Sequence, residues 1–178
     1  MRNLFFFIIL ILIFSCNNED DGISQKKTNT IYKVIPNMIA TEKAQKVVQK
    51  MYSNDAFSQW LGIEISDVEP NHVILTMTIR PEMTNGFAIA HGGITYALAD
   101  SALAFASNSL GRKAVSIETS INHTSSLRAG DQLIASASPE SVTNKIGIYR
   151  VIITREADSQ VVAVFKGVVY RTEKEWGI

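Results

Sequence analysis

Between Ile94 and Leu110 the chain offers a helix with almost no polar face: Ile94, Tyr96, Ala97, Leu98, Ala99, Ala102, Leu103, Ala104, Phe105 and Ala106 surround its axis. A helix apolar all round is a buried helix, so the rest of the chain has to cover it. Gly111 supplies its stop.

The cover is legible on both sides of that helix. Ile63 and Ile65, then Val73, Leu75, Met77 and Ile79, follow a period of two, with Pro70-Asn71 as the hairpin turn between them. After the helix come four β-rich segments, Ala114–His123, Gln132–Ser138, Ile146–Arg155 and Val161–Arg171, with Arg128-Ala129-Gly130-Asp131 and Ala157-Asp158-Ser159 among the turns. Thr41-Glu42 can cap a helix over Lys43–Met51 whose buried face is Ala44, Val47, Val48 and Met51, and Asp55–Leu61 reads as a further short turn of helix. Pro81 ends the second strand, and the loop Asn85–Ala90 leads into His91-Gly92-Gly93, which opens the apolar helix. Roughly five antiparallel strands and one buried helix make an α+β domain over residues 41–178, most economically a curved sheet wrapped about the helix, the hotdog architecture.

Composition narrows the function by exclusion. The 178 residues hold 17 basic and 17 acidic side chains, and no Lys/Arg run in the body suggests a phosphate-tracking groove, so nucleic acid is not an expected partner. The single cysteine is Cys16, which leaves the body without a disulfide, a thiol nucleophile or a Cys-based metal site. His72, His91 and His123 lack metal-motif spacing, and no metal or organic cofactor is expected. A Gly-x-Ser-x-Gly turn is absent, which excludes an α/β-hydrolase.

Asp100 stands in the middle of the apolar helix. An ionised carboxylate costs several kcal/mol to desolvate unless something pairs with it or uses it. Two readings stand: a polar residue satisfied by a buried donor or facing a dimer interface, and a general base or nucleophile tuned by its surroundings. His91-Gly92-Gly93 bears on the choice, because the first turn of a helix leaves N–H groups unpaired and its dipole favours negative charge. A glycine there lets a ligand approach the backbone, and a thioester carbonyl against the Gly92 N–H would have its developing oxyanion stabilised. The competing reading is a glycine pair making a tight turn into the helix.

The string Asn85-Gly86-Phe87-Ala88-Ile89-Ala90-His91-Gly92-Gly93-Ile94-Thr95-Tyr96-Ala97-Leu98-Ala99-Asp100-Ser101-Ala102 resembles the signature of the phenylacetate-pathway (PaaI-type) hotdog thioesterases. Val115-Ser116-Ile117-Glu118, Ala129-Gly130-Asp131 and Lys145-Ile146-Gly147-Ile148-Tyr149 match in order and spacing. The resemblance implies hydrolysis of an aryl-acetyl or medium-chain acyl-CoA by a homodimer or dimer of dimers, with active sites shared across the subunit interface. It implies Asp100 as the catalytic carboxylate, Asn85 orienting thioester or water, His91 supporting the loop, and Gly92 donating the oxyanion hydrogen bond. Gly93 and Ser116 would contact the substrate, and Lys145 and Arg128 are candidates for the CoA phosphates against a reading as ordinary solvated charges. Glu118, on the side of Ser116 by period two, reads as solvated or ion-paired. Phe87, Tyr96 and Phe105 read as acyl pocket or plain core. A non-catalytic acyl-CoA-binding module and a hotdog dehydratase or hydratase are the alternatives; neither a His-Phe-Pro-type loop nor Asn-Pro-x-His occurs.

Ahead of the domain, residues 4–14 are an apolar run behind Met1 and Arg2, short of the roughly 20 residues of a transmembrane helix and suited to a signal peptide. Ile13-Phe14-Ser15-Cys16 resembles a bacterial lipoprotein signal, which makes residues 1–16 a leader and residues 17–40 a polar tether. Two locations follow: membrane-anchored through Cys16, or cytoplasmic with translation from Met38, as CoA thioester chemistry favours.

Overall fold

The computed structural model describes the backbone of residues 21–178 and the side chains of residues 37–178; the expected leader and Cys16 lie outside the described residues. Among the described residues the elements are α1 (Asp21–Ser53), α2 (Ala56–Leu61), β1 (Glu64–Glu69), β2 (His72–Thr78), a 3₁₀ turn at Pro81–Met83, α3 (Gly92–Asn108), β3 (Arg112–His123), β4 (Gln132–Val142), β5 (Ile146–Arg155) and β6 (Val161–Glu175). Residues 36–178 form one compact unit.

The sheet order is β1-β2-β4-β5-β6-β3, with every neighbouring pair antiparallel. The sheet thus has six strands where roughly five were expected, and β1 and β3 are its edges. Helix α3 packs against β2, β3, β4, β5 and β6. Five strands spaced ~4.8 Å apart span about 19 Å, wider than a helix of ~10–12 Å, so the contacts require the sheet to curve about α3. Leu98, Leu103 and Phe105 of the helix meet a core that includes Leu75, Met77, Leu133, Val151, Ile153 and Phe165. The fit is closest on β6, where a Cβ on Gly167 would collide with the Leu103 side chain. Glycine in mid-strand weakens a strand, and here it marks the point where the helix bears on the sheet.

Helix α1 buries Ala44, Val47 and Val48, as the spacing predicts. Its start differs from expectation: the helix runs from Asp21, so Thr41 is an interior residue rather than a cap, and residues 21–40 are helical where a tether was expected. The expectation rested on the polar residues and on Pro36, yet Ile31, Val34, Ile35, Met38 and Ile39 stand at the three-and-four spacing of a helix. Asp55 caps α2 by accepting from the Ser58 amide at 3.0 Å, and Ser58 Oγ meets Ser101 Oγ of α3 at 2.9 Å, which fastens α2 beside the middle of the apolar helix. No described helix is long and apolar enough to cross a membrane.

The apolar helix is not covered all round. Thr95, Leu98, Ala99, Ala102, Leu103, Phe105 and Ala106 are buried, while Gly93, Tyr96, Ala97, Asp100 and Ala104, at three-and-four spacing, form a stripe that is exposed or half-buried. One curved sheet covers one side of a helix.

Candidate active site

The loop into α3 is held at both ends. The Asn85 amide donates to the Ile89 carbonyl at 2.8 Å and the Ala88 amide to the Asn85 carbonyl at 3.0 Å, with Ala88 in the left-handed region at φ 56°. Asn85 Oδ1 accepts from the Phe87 amide at 2.9 Å, an Asx-type turn that leaves the Nδ2 group without a partner among the described residues. The Ala90 amide donates to the Leu127 carbonyl and the His91 amide to the Met83 carbonyl, both at 2.8 Å. Phe87, at the tip, is 85% exposed.

His91 is the N-cap of α3, its Nδ1 accepting from the Gly93 amide at 2.9 Å. This takes the Gly93 amide out of the set of free donors, against its expected role in contacting substrate. The Gly92 amide has no hydrogen-bond partner among the described residues. Gly92 lines a cleft of about 450 Å³ with Asn85, Ala90, Thr95, His123 and Leu127, among others. A free N–H at the positive end of a 17-residue helix is a hydrogen-bond donor to developing negative charge.

Asp100 is not in that cleft. It lies eight residues further along α3, about 12 Å at 1.5 Å per residue. Half-buried on the open stripe, it makes no ion pair or hydrogen bond among the described residues, and burial pushes its carboxyl above the ordinary aspartate range.

Ser116 is an exposed residue of the edge strand β3 and does not line the cleft at Gly92. Strand β3 runs antiparallel to α3: Asn108 holds both backbone groups of Ala114, Tyr96 Oη meets Thr119 Oγ1 at 2.5 Å, and His123 reaches Thr95. Ser116 lies between Ala114 and Thr119, so between the levels of Asn108 and Tyr96 on α3, and opposite Val169, whose side chain is buried. A bulge separates Ser116 from Glu118, which sits opposite Val168. The expectation that the two share a face is therefore corrected: the extra residue, Ile117, turns Glu118 to the outer face, where it pairs with Lys166 at 3.4 Å.

Lys145 is remote from the cleft. It precedes β5 at the Ala114 end of the sheet, about 30 Å along β3 from His123 at ~3.3 Å per residue, and its ammonium is held by Glu173 at 2.7 Å. Arg128 adjoins the cleft through Leu127 and is exposed. Phe105 is core, at 1% exposure, and Tyr96 stays at the surface. Thr95 and His123, both lining the cleft, were not singled out by sequence reasoning. Their contact spans 28 residues, and no local spacing announces it.

These features have counterparts in known proteins. The family model of the thioesterase superfamily matches residues 87–162. The acyl-coenzyme A thioesterase PaaI of Escherichia coli is 35% identical over 131 residues, which cover 74% of this chain and 93% of that one. The structure of the E. coli PaaI protein from the phenylacetic acid degradation operon superposes with a TM-score of 0.74 at 34% identity, covering 76% of this chain and 97% of that chain. A Streptococcus mutans protein solved bound to acetyl CoA gives a TM-score of 0.61 at 27% identity, covering 64% of this chain and 90% of its own. With the hotdog sheet, the loop-to-helix turn and the mid-helix carboxylate all in place, the chain belongs to the thioesterase superfamily as a PaaI-type hotdog thioesterase.

Proposed function

We propose that the protein hydrolyses an aryl-acetyl or medium-chain acyl-CoA to the free acid and CoA, working as a homodimer or dimer of dimers. The observation that carries the proposal is the separation of two unspent groups on one helix: the Gly92 amide at its start and the Asp100 carboxylate about 12 Å away. A water attacking a carbonyl held by Gly92 has to be within ~3 Å of its base. One chain cannot meet that requirement, and two chains related by a two-fold axis can, each giving Gly92 to one site and Asp100 to the other. The edge strand β3 supports such pairing, with Val115 56% and Ile117 58% exposed.

In this reading the thioester oxygen accepts from the Gly92 N–H, and Asp100 of the partner subunit takes a proton from water as its oxygen bonds to the carbonyl carbon. Collapse of the tetrahedral intermediate breaks the C–S bond, and the thiolate leaves and recovers the proton. Direct attack by the carboxylate, followed by hydrolysis of the anhydride, uses the same groups. The raised Asp100 carboxyl suits a proton acceptor, since a base works best with its pKa near the working pH. Asn85, whose Nδ2 is free, supplies a second donor in the cleft. CoA substrates favour a cytoplasmic enzyme started at Met38, and the lipoprotein-like Cys16 a membrane-anchored one; mass spectrometry of the native N-terminus distinguishes the two.

Thiol release from a panel of acyl-CoAs tests the proposal. Wild type is expected to turn over at least one class, and Asp100→Asn to lose on the order of 10³-fold in kcat or more with fold and assembly retained. Full activity in Asp100→Asn would remove the carboxylate from the mechanism. Binding without release by the wild type would make the protein an acyl-CoA-binding module.

A further inference from the structure

Beside the free amide stands a side chain that the chemistry above leaves unused. His123 ends β3, and its ring lies against Gly92: a methyl group on that Cα would sit 3.2 Å from Cε1 and 3.6 Å from Nε2. Nε2 is 2.6 Å from Thr95 Oγ1, and the Thr95 hydroxyl donates to the Gly92 carbonyl at 3.0 Å. A hydroxyl has one proton; with it directed at the Gly92 carbonyl, the ring is the donor to Oγ1. The result is a chain from His123 Nε2–H through Thr95 O–H to the Gly92 carbonyl, anchored on a threonine that is 2% exposed.

We propose that His123 and Thr95 are a positioning pair that holds the first residue of α3 so that the Gly92 N–H points at the thioester carbonyl. The inference rests on the thioesterase reading and adds residues to it. The turn is otherwise restrained at its neighbours, through the His91 amide on Met83 and the Gly93 amide on His91. Gly92 has no side chain with which to fix itself, and glycine is the least restrained residue in the chain. The imidazole occupies the space its Cβ would need, and the threonine ties down its carbonyl. Oxyanion stabilisation depends on donors already aimed before the reaction, and a displacement of 1 Å costs on the order of 10²-fold.

Steady-state kinetics on four variants test this. His123→Phe keeps a ring over Gly92 and removes the N–H; Thr95→Val keeps the shape and removes the hydroxyl; the third combines them. Each single variant is expected to lower kcat about tenfold, with KM and thermal midpoint close to wild type. The double variant should fall no further than the worse single, because both cut one link. His123→Gln, which retains a donor for Thr95, should recover part of kcat. Single variants at wild-type kcat, or losses that multiply in the double, would overturn the pair while leaving the thioesterase assignment intact. Should the wild type release no thiol from any acyl-CoA, that assignment fails, and the Gly92 amide resonance of ¹⁵N-labelled protein decides the pair: a shift common to both single variants upholds it, and none overturns it.

Discussion

The two ends of the chemistry on α3 are built differently. At the helix start, Asn85, Ala88, Ala90, His91, Gly93, Thr95 and His123 are tied into hydrogen bonds, and Gly92 is left with one amide free. Two turns on, Asp100 has no polar partner among the described residues and sits on a stripe open to solvent. The contrast teaches which half one chain can finish alone. A hydrogen-bond donor has to be aimed, and local loop geometry aims it. A base has to be desolvated and brought to the substrate, and on this chain the stripe that carries Asp100 is left open.

The comparison breaks first at Gly92. Gly92→Pro removes the free N–H and little else, because proline is at home in the first position of a helix and His91 already has the extended backbone, φ −63° and ψ 133°, that a residue before proline adopts. The nearest group the ring's Cβ would meet is the exposed His123 side chain, at 3.2 Å. Loss of about 10²- to 10³-fold in kcat with the helix retained by circular dichroism is expected, as for one oxyanion donor. A fully active proline variant would show that the donor half lies elsewhere.

Mixing sharpens the comparison. Asp100→Asn and Gly92→Pro each spoil both sites of a homodimer, and a mixed dimer keeps one site intact if the halves come from different chains. Equal amounts, dissociated and reassociated, should give about a quarter of wild-type turnover, since about half the dimers are mixed and each has one working site. No recovery from a verified mixed population would place both groups in the same chain's site and contradict the helix geometry.

Much of this was legible before any coordinates, and what was legible has a common physical origin. The apolar circumference of α3, the period of two in β2 and the Asn85-to-Asp100 string are local patterns, and local patterns survive folding because burial enforces them. The bulge at Ile117 escaped because alternation carries no mark of an inserted residue until two strands are paired. The Lys145–Glu173 pair and the His123–Thr95 contact escaped for a related reason: they join positions 28 residues apart, and register alone brings them together. The helical backbone of residues 21–40 was missed because Pro36 and the polar run before Ile31 read as a break, although Ile31, Val34, Ile35, Met38 and Ile39 stand at helical spacing.

The smallest expected effect concerns stability, and it tests whether Asp100 is as isolated as its surroundings indicate. Its carboxyl is raised by desolvation, so the folded protein holds that proton more tightly than the unfolded chain does. The stabilisation this provides is complete below the ordinary aspartate range and is lost as pH rises through the raised value. At neutral pH the wild type is left with a half-buried, unpaired carboxylate, and Asp100→Asn should be slightly the more stable in urea. Acidification below the ordinary range should close the gap. A variant less stable than wild type at neutral pH would mean that the carboxylate has found a partner, and assembly is where such a partner would come from: the carboxylate half would then be as firmly built in the dimer as the amide half is in one chain.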